Sequence, residues 1–308
     1  MAFPPSVATT HGSFSVANQT CVLMGVPTRL RTSGYSDPMA ALDADALRSA
    51  LVDNDGPYAA LEVVPTTGST NADLLARAGD AADRTVLIAE EQTEGRGRRA
   101  REWVSPPESG LYLSVLLRPE GVPTAKLGAL SLVAGVALIR TARHVGLMAA
   151  LKWPNDLLAG AGMAKCAGIL AEVSGGERPA VVVGIGVNVG RLPREVPAGP
   201  GGLPATSFQQ EGATADRGEV AVALLRSFAE VERSWRGAGG DLATSGLLAE
   251  YRANCATLGQ RVRVELPGDE ARQGLAVEVD ADGQLVVDVD GTARTISAGD
   301  VVHLRALA

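Results

Sequence analysis

Gly95-Arg96-Gly97-Arg98-Arg99-Ala100-Arg101-Glu102-Trp103 places four arginines and two glycines within nine residues of a chain whose formal net charge is −7. Glycine lets the backbone turn sharply and approach a ligand closely. Arginine adds a permanent charge and a planar fork of donors that matches carboxylate or phosphate. The stretch therefore reads as an anion-holding loop, against the alternative of a solvated surface run. Val86 to Gln92 leads into the loop as a strand, and Gly110 to Leu117 leaves it as another, with Tyr112, Ser114 and Leu116 on one face. The loop thus joins two strands of a mixed α and β domain.

Further strands are expected at Leu61 to Val64, Ala150 to Trp153, Ala167 to Val173 and Ala180 to Val189. Helices are expected from Ser69-Thr70-Asn71, a capping sequence, to about Ala78, and at Thr124 to Val145, Gly218 to Trp235 and Leu242 to Asn254. Asp37-Pro38 resembles a helix start, with Leu42, Leu47 and Leu51 supplying the apolar stripe. Residues 1–36 read as a flexible extension, since Met1 to Thr28 carries no Asp, Glu, Lys or Arg and no periodicity. After Cys255 the texture changes to short runs, Arg261 to Leu266, Leu275 to Val279, Leu285 to Val289, Thr295 to Ile296 and Val301 to Leu304. Pro267-Gly268-Asp269, Asp282-Gly283 and Asp290-Gly291 mark their turns, which predicts a small β-barrel with its boundary near Ala256.

The composition narrows the class. With 308 residues, 46% hydrophobic and 20% charged, the chain has the makeup of a globular protein with a sizeable core. Three cysteines, Cys21, Cys166 and Cys255, are too few and too scattered for a disulfide framework or a metal-binding pair, which suits a reducing cytoplasm. No apolar run reaches the roughly 18 residues of a bilayer span. A soluble, cytoplasmic protein is the expectation, with no membrane association.

Four segments carry chemistry: Ser69-Thr70-Asn71; Gln92 with the arginine loop; Lys152-Trp153-Pro154-Asn155-Asp156 followed by Lys165-Cys166-Ala167-Gly168-Ile169-Leu170-Ala171-Glu172; and Gly184-Ile185-Gly186-Val187-Asn188. Each has a bland alternative, whether an N-cap, a solvated loop, a structural turn or a tightly packed strand. In this order and spacing they resemble the biotin protein ligases (biotin-[acetyl-CoA-carboxylase] ligases), and the resemblance runs from about Leu42 to Arg305.

The resemblance implies an α+β fold. A class II synthetase-like catalytic domain, a mixed sheet flanked by helices, would span residues 37–255, and a small SH3-like β-barrel residues 256–308. It implies a two-step reaction in which biotin and MgATP give biotinyl-5'-adenylate and pyrophosphate, after which a carrier-protein lysine takes the biotinyl group. By the same resemblance, Lys165, Arg98 and Asp156 are the catalytic candidates. Ser69, Thr70, Asn71, Gln92, Gly95, Arg96, Gly97, Arg98 and Lys165 would bind biotin. Arg96, Arg98, Trp103, Lys152, Asn155, Gly184, Gly186 and Asn188 would bind ATP and the adenylate. Asp156 is the candidate Mg2+ carboxylate, a hard ion preferring one or two carboxylates plus phosphate oxygens. Arg99 and Arg101 are left as solvated charges.

The implied partner is the biotin carboxyl carrier domain of an acyl-CoA or pyruvate carboxylase. The residues ahead of the catalytic segment supply a charge-poor tail and one helix, and the net negative charge disfavours a phosphate backbone, so no nucleic-acid binding is expected. Monomer and homodimer stay open. Two rival readings are a lipoate or octanoate transferase of the same fold and a non-catalytic biotin-sensing regulator.

Overall fold

The computed structural model describes residues 40–104, 108–175, 179–192, 196, 198–265, 271–297 and 300–303. The expected extension 1–36, the Asp37-Pro38 helix start and the Pro267-Gly268-Asp269 turn lie outside the described residues. Ser36–Ala308 form one compact unit. Its first helix, α1 (Ala44–Leu51), is capped by the Asp43 carboxylate, which accepts from the amides of Asp45 and Ala46.

Seven strands make the larger sheet: β1 (Ala60–Thr67), β2 (Thr85–Gln92), β3 (Gly110–Leu117), β4 (Ala149–Lys152), β5 (Asp156–Ala159), β6 (Ala164–Val173) and β7 (Val181–Asn188). Their order is β1-β2-β3-β7-β6-β5-β4, with β1 and β2 parallel and all other neighbours antiparallel. β5 was not anticipated. Its four residues begin only two positions after Pro154 and carry no alternation to separate them from the turn.

Side-chain alternation divides this sheet into two faces. Leu111, Leu113, Val115 and Leu117 of β3 and Val183, Ile185 and Val187 of β7 join the main core with α3 (Leu130–His144) and α4 (Arg217–Gly237). α4 starts with a capping box between Asp216 and Glu219. The opposite face carries the short α2 (Thr70–Ala76), whose Leu74 packs on Leu87, Leu116 and Val182. Beyond that patch the second face is polar and glycine-rich.

Two helix boundaries move inward. The segment expected to be helical from Thr124 begins as 3-10 turns through Ala129, and α5 (Leu247–Ala253) starts after Gly246 rather than at Leu242. Asp241 accepts from the Thr244 amide and Gly246 is left-handed at φ 77, so the chain makes a turn there before the helix. Thr124–His144 is long and apolar enough to cross a membrane by composition, yet α3 within it is a core helix, with Leu130, Val133, Ala134, Val136, Ala137 and Leu138 fully buried.

The second sheet is antiparallel: β8 (Arg261–Glu265), β9 (Ala271–Val279), β10 (Leu285–Val289), β11 (Thr292–Ile296) and β12 (Asp300–His303), in the order β11-β10-β9-β8-β12. Asp290 and Gly291, both at positive φ (49 and 80), form the tight β10–β11 hairpin expected of Asp-Gly. The connector between the sheets pairs with the larger one. Leu151 donates its amide to the Asn254 carbonyl and accepts from the Ala256 amide, both at 2.8 Å, so residues 254–256 run parallel to the edge strand β4.

Candidate active site

The arginine stretch folds into a small hairpin. Trp103 donates its amide to the Gly95 carbonyl (2.8 Å), Gly97 donates to the Arg101 carbonyl (2.7 Å), and Arg99 at the tip is left-handed at φ 56. The hairpin rises from the end of β2 over the polar face of the sheet, where it covers a cavity of about 430 Å³. Among the described residues five cationic side chains, Arg96, Arg98, Arg101, Lys152 and Lys165, and two carboxylates, Glu102 and Asp156, line that cavity. An acidic protein has concentrated positive charge at one place.

One end of the cavity is a hydroxyl and amide cluster. Ser69 caps α2, accepting from the Ala72 amide. Thr70 gives both its amide (2.9 Å) and its hydroxyl (3.1 Å) to the Gln92 Oε1. Beneath them the fully buried Ser114 places its hydroxyl 2.7 Å from the Thr70 Oγ1 and 2.6 Å from the Asn71 Oδ1. Asn71 donates from Nδ2 to the Leu170 carbonyl (3.1 Å) and the Glu172 carboxylate (2.7 Å). Its amide is therefore engaged by the protein on both sides, and Asn71 and Thr70 share the Ser114 hydroxyl as a neighbour.

The opposite end is ionic. β5 begins at Asp156, whose Oδ1 lies 2.7 Å from the Lys165 Nζ and whose Oδ2 lies 3.6 Å from the Lys152 Nζ. Asp156 and Lys152 are buried, while Lys165 is about a fifth exposed and reaches toward the cavity. The Lys165 backbone is fixed by a passing segment, its amide donating to the Pro204 carbonyl and its carbonyl accepting from the Thr206 amide. Arg98 extends to the Asn155 Oδ1 at 3.5 Å, and Asn155 is itself held by two hydrogen bonds with the Ile169 backbone. Asn188 donates to the Thr206 carbonyl at 2.9 Å.

Glycines form the floor between the two ends. Gly168 and Gly186 are cross-strand partners, and a Cβ on either would stand 2.9 Å and 2.6 Å from the Trp103 ring. The indole lies on this bare backbone, with the Lys165 Nζ 5.3 Å from a ring centroid. Gly184 also lines the cavity and has a second close neighbour. A Cβ there would stand 2.3 Å from the Asn71 Oδ1, so its missing side chain makes room for Asn71.

Burial and charge set the unusual titrations nearby. Burial pushes the Tyr112 phenol up to about 12 despite its hydrogen bond with Ser109, so it stays neutral as a cavity wall. Burial also raises the Cys166 thiol well above the ordinary range, leaving it an unreactive packing group beside Lys165. His303 of β12 is lowered to about 4, chiefly by burial and then by the Lys152 ammonium, with Asp156 acting in the opposite sense.

The structure thus brings the residues singled out from sequence to one cavity, Gly95 excepted. Gly95 is buried beneath the hairpin, and its carbonyl accepts from Trp103. Arg101, expected to be solvated, lines the cavity, and Arg99 reaches the Glu265 carbonyl at 3.3 Å. Sequence reasoning gave no site role to Ser114 or Tyr112, for which the alternation of β3 was the available signal, and it quoted Gly168 and Glu172 within the Lys165 segment without a role of their own. The placement of Asp156 as a magnesium ligand fits poorly. Both its oxygens face ammonium groups, and among the described residues no three His, Cys, Asp or Glu side chains gather to hold a metal.

The site thus sits in a mixed sheet with a roofed, cationic cavity on one face and a small antiparallel sheet following it in the chain. Residues 61–188 match the Biotin/lipoate A/B protein ligase family, and residues 257–304 match the Biotin protein ligase C terminal domain. The chain is 45% identical to the biotin--[acetyl-CoA-carboxylase] ligase of Mycobacterium tuberculosis over 86% of this chain and 96% of that protein. It is 32% identical to the bifunctional ligase/repressor BirA of Escherichia coli over 87% and 80%. Among solved structures, the biotin protein ligase from Aquifex aeolicus in complex with biotin and ATP superposes with a TM-score of 0.63 at 26% identity, covering 81% of this chain and all of that one. This chain belongs to the biotin protein ligase family.

Proposed function

We propose that the chain activates biotin with ATP as biotinyl-5'-adenylate and passes the biotinyl group to a lysine of a biotin carboxyl carrier domain. The observation that carries this reading is the placement of the Lys152–Asp156–Lys165 array at one end of the cavity whose other end is the Ser69, Thr70 and Gln92 cluster. A ureido ring needs a few fixed donors and acceptors in an otherwise apolar pocket, and the hydroxyl and amide cluster supplies them. The acid at the other end of the molecule then points toward Lys165.

In the first step the biotin carboxylate oxygen attacks the α-phosphorus, a P–O bond forms, and pyrophosphate leaves with the electrons of the broken anhydride bond. Two anions must meet, so fixed positive charge lowers the barrier. Unit charges 4 Å apart interact by about 1 kcal/mol in water and about 4 kcal/mol at an effective dielectric of 20. Lys165 serves the carboxylate and α-phosphate, while Arg96, Arg98 and Arg101 of the hairpin serve the polyphosphate. Asp156 holds Lys165 at the cavity and keeps two ammonium groups together that would otherwise repel. Magnesium would enter as part of the ATP substrate, held through phosphate oxygens.

In the second step the neutral ε-amine of the acceptor lysine attacks the acyl carbon. An amide bond forms, the acyl–phosphate bond breaks, AMP leaves, and the amine's proton passes to solvent or to AMP. The acceptor is a carrier domain of an acyl-CoA or pyruvate carboxylase, and the reaction is cytoplasmic. Incubation with ATP, labelled biotin and a purified carrier domain tests the proposal: label appears on the carrier lysine only with ATP present. No label, or equal transfer of lipoate, overturns it.

A further inference from the structure

The turn that delivers Lys152 and Asp156 is gripped from two sides. On one side Asn155 is hydrogen-bonded to the Ile169 backbone of β6, the strand that also carries Lys165. On the other, the Trp153 amide donates to the Thr257 Oγ1 at 3.0 Å, and the Trp153 Nε1 donates to the Gly283 carbonyl at 2.9 Å. Thr257 is fully buried, and its Oγ1 lies 3.1 Å from the Nε2 of His303. Thr257 belongs to the connector and His303 to the last strand of the small sheet.

We propose that Thr257 and His303 are positioning residues for the activation step, holding the Trp153–Asp156 turn so that Lys152 and Asp156 stand in register with Lys165. The proposal rests on the ligase reading above and concerns residues that line no part of the cavity. The Trp153 amide is buried, so its acceptor is not replaceable by water, and loss of that acceptor forces the turn to move. The Thr257 hydroxyl has a single rotor, and the imidazole selects its orientation. A shift of about 1 Å in a catalytic group is enough to lower a rate by about 100-fold. The small domain thus reaches the chemistry through two hydrogen bonds in series, Trp153 to Thr257 to His303.

Thr257→Val keeps the shape and removes the acceptor, while Thr257→Ser keeps the hydroxyl. The expected result is a roughly 10- to 100-fold fall in kcat for biotin-dependent pyrophosphate release in the valine variant, with KM for biotin changed less than about twofold. The serine variant is expected to restore kcat to within about threefold of the parent. His303→Leu at a half-buried site provides a second variant should the valine protein fail to fold, and a fall in its kcat at unchanged KM is expected. A kcat within twofold of the parent in these variants, or a serine variant as slow as the valine one, overturns the proposal. Hydrogen exchange at the Trp153 amide needs no turnover: faster exchange in Thr257→Val supports the coupling, and unchanged protection overturns it. A parent protein that releases no pyrophosphate with biotin would sink the ligase reading instead, and the exchange measurement would still decide the coupling.

Discussion

The two faces of the larger sheet are built from the same strands and obey different rules. On β7, Val183, Ile185 and Val187 fill a dense core, while the alternate positions Gly184, Gly186 and Asn188 look into the cavity. On β3, Leu113 and Val115 pack inward, while Tyr112 and Ser114 face the site. The packed face requires volume and tolerates exchange of one hydrophobic shape for another. The open face requires bare backbone and fixed donors, and an added methyl group at Gly168 or Gly186 would stand too close to the Trp103 ring for the indole to keep its place. A strand can therefore carry a stability constraint and a recognition constraint on alternate residues.

The sharpest break between the faces should come from charge. Lys165→Ala is expected to lower biotin-dependent pyrophosphate release by roughly 10²- to 10³-fold, in line with loss of one transition-state stabilising group. The melting temperature should fall as well, because the buried Asp156 carboxylate loses its nearer ammonium partner and keeps only Lys152 at 3.6 Å. Next in size is Gly186→Val, whose Cβ would stand 2.6 Å from the Trp103 ring. Displacement of the indole should weaken biotin binding by about tenfold, equivalent to about 1.4 kcal/mol, read by calorimetric titration. The packed face of β2 supplies the control: Ile88 is fully buried in the core and lines no part of the cavity, so Ile88→Val should cost about 0.5–1.5 kcal/mol of stability and leave biotin affinity unchanged.

A smaller effect concerns acid. His303 is lowered to about 4 in the fold from an ordinary 6.5, with Lys152 and Asp156 the charged groups that face it. The unfolded chain therefore binds more protons between those values, so the contribution of the neutral imidazole is complete above about pH 6.5 and is lost as pH falls toward 4. Unfolding near pH 5 should take up about one proton fewer in His303→Gln than in the parent, measured as a shallower fall of stability with acid. The smallest effect belongs to Arg99→Ala. Its exposed contact with the Glu265 carbonyl is expected to contribute under about 1 kcal/mol, with activity within twofold of the parent.

Which residues could be read from sequence follows from where their meaning resides. Lys165, Arg96, Arg98 and Asp156 announce themselves by residue type, since a charge close to glycine or within a strand demands a partner. The strands β2, β3 and β7 were legible through their apolar runs, and Asp290-Gly291 through its turn chemistry. Ser114 and Thr257 are ordinary hydroxyls whose roles arise only from pairing with residues far along the chain, 43 positions to Asn71 and 104 to Trp153. No local pattern encodes such a partnership. Gly184 shows the same limit: its glycine was legible as a close approach, but that Asn71 is a group standing against it came only from the fold.

The connector that runs along β4 has a consequence for the protein outside its reaction. β4 is the last strand of the larger sheet, and the backbone of residues 254–256 covers part of its outer edge. An uncovered edge offers unpaired backbone groups to any neighbouring chain and is a route to aggregation. Cutting the chain at Ala253 to isolate the larger sheet would strip that cover from Leu151. The fragment should self-associate, and the small domain is in this sense a solubility guard for the large one.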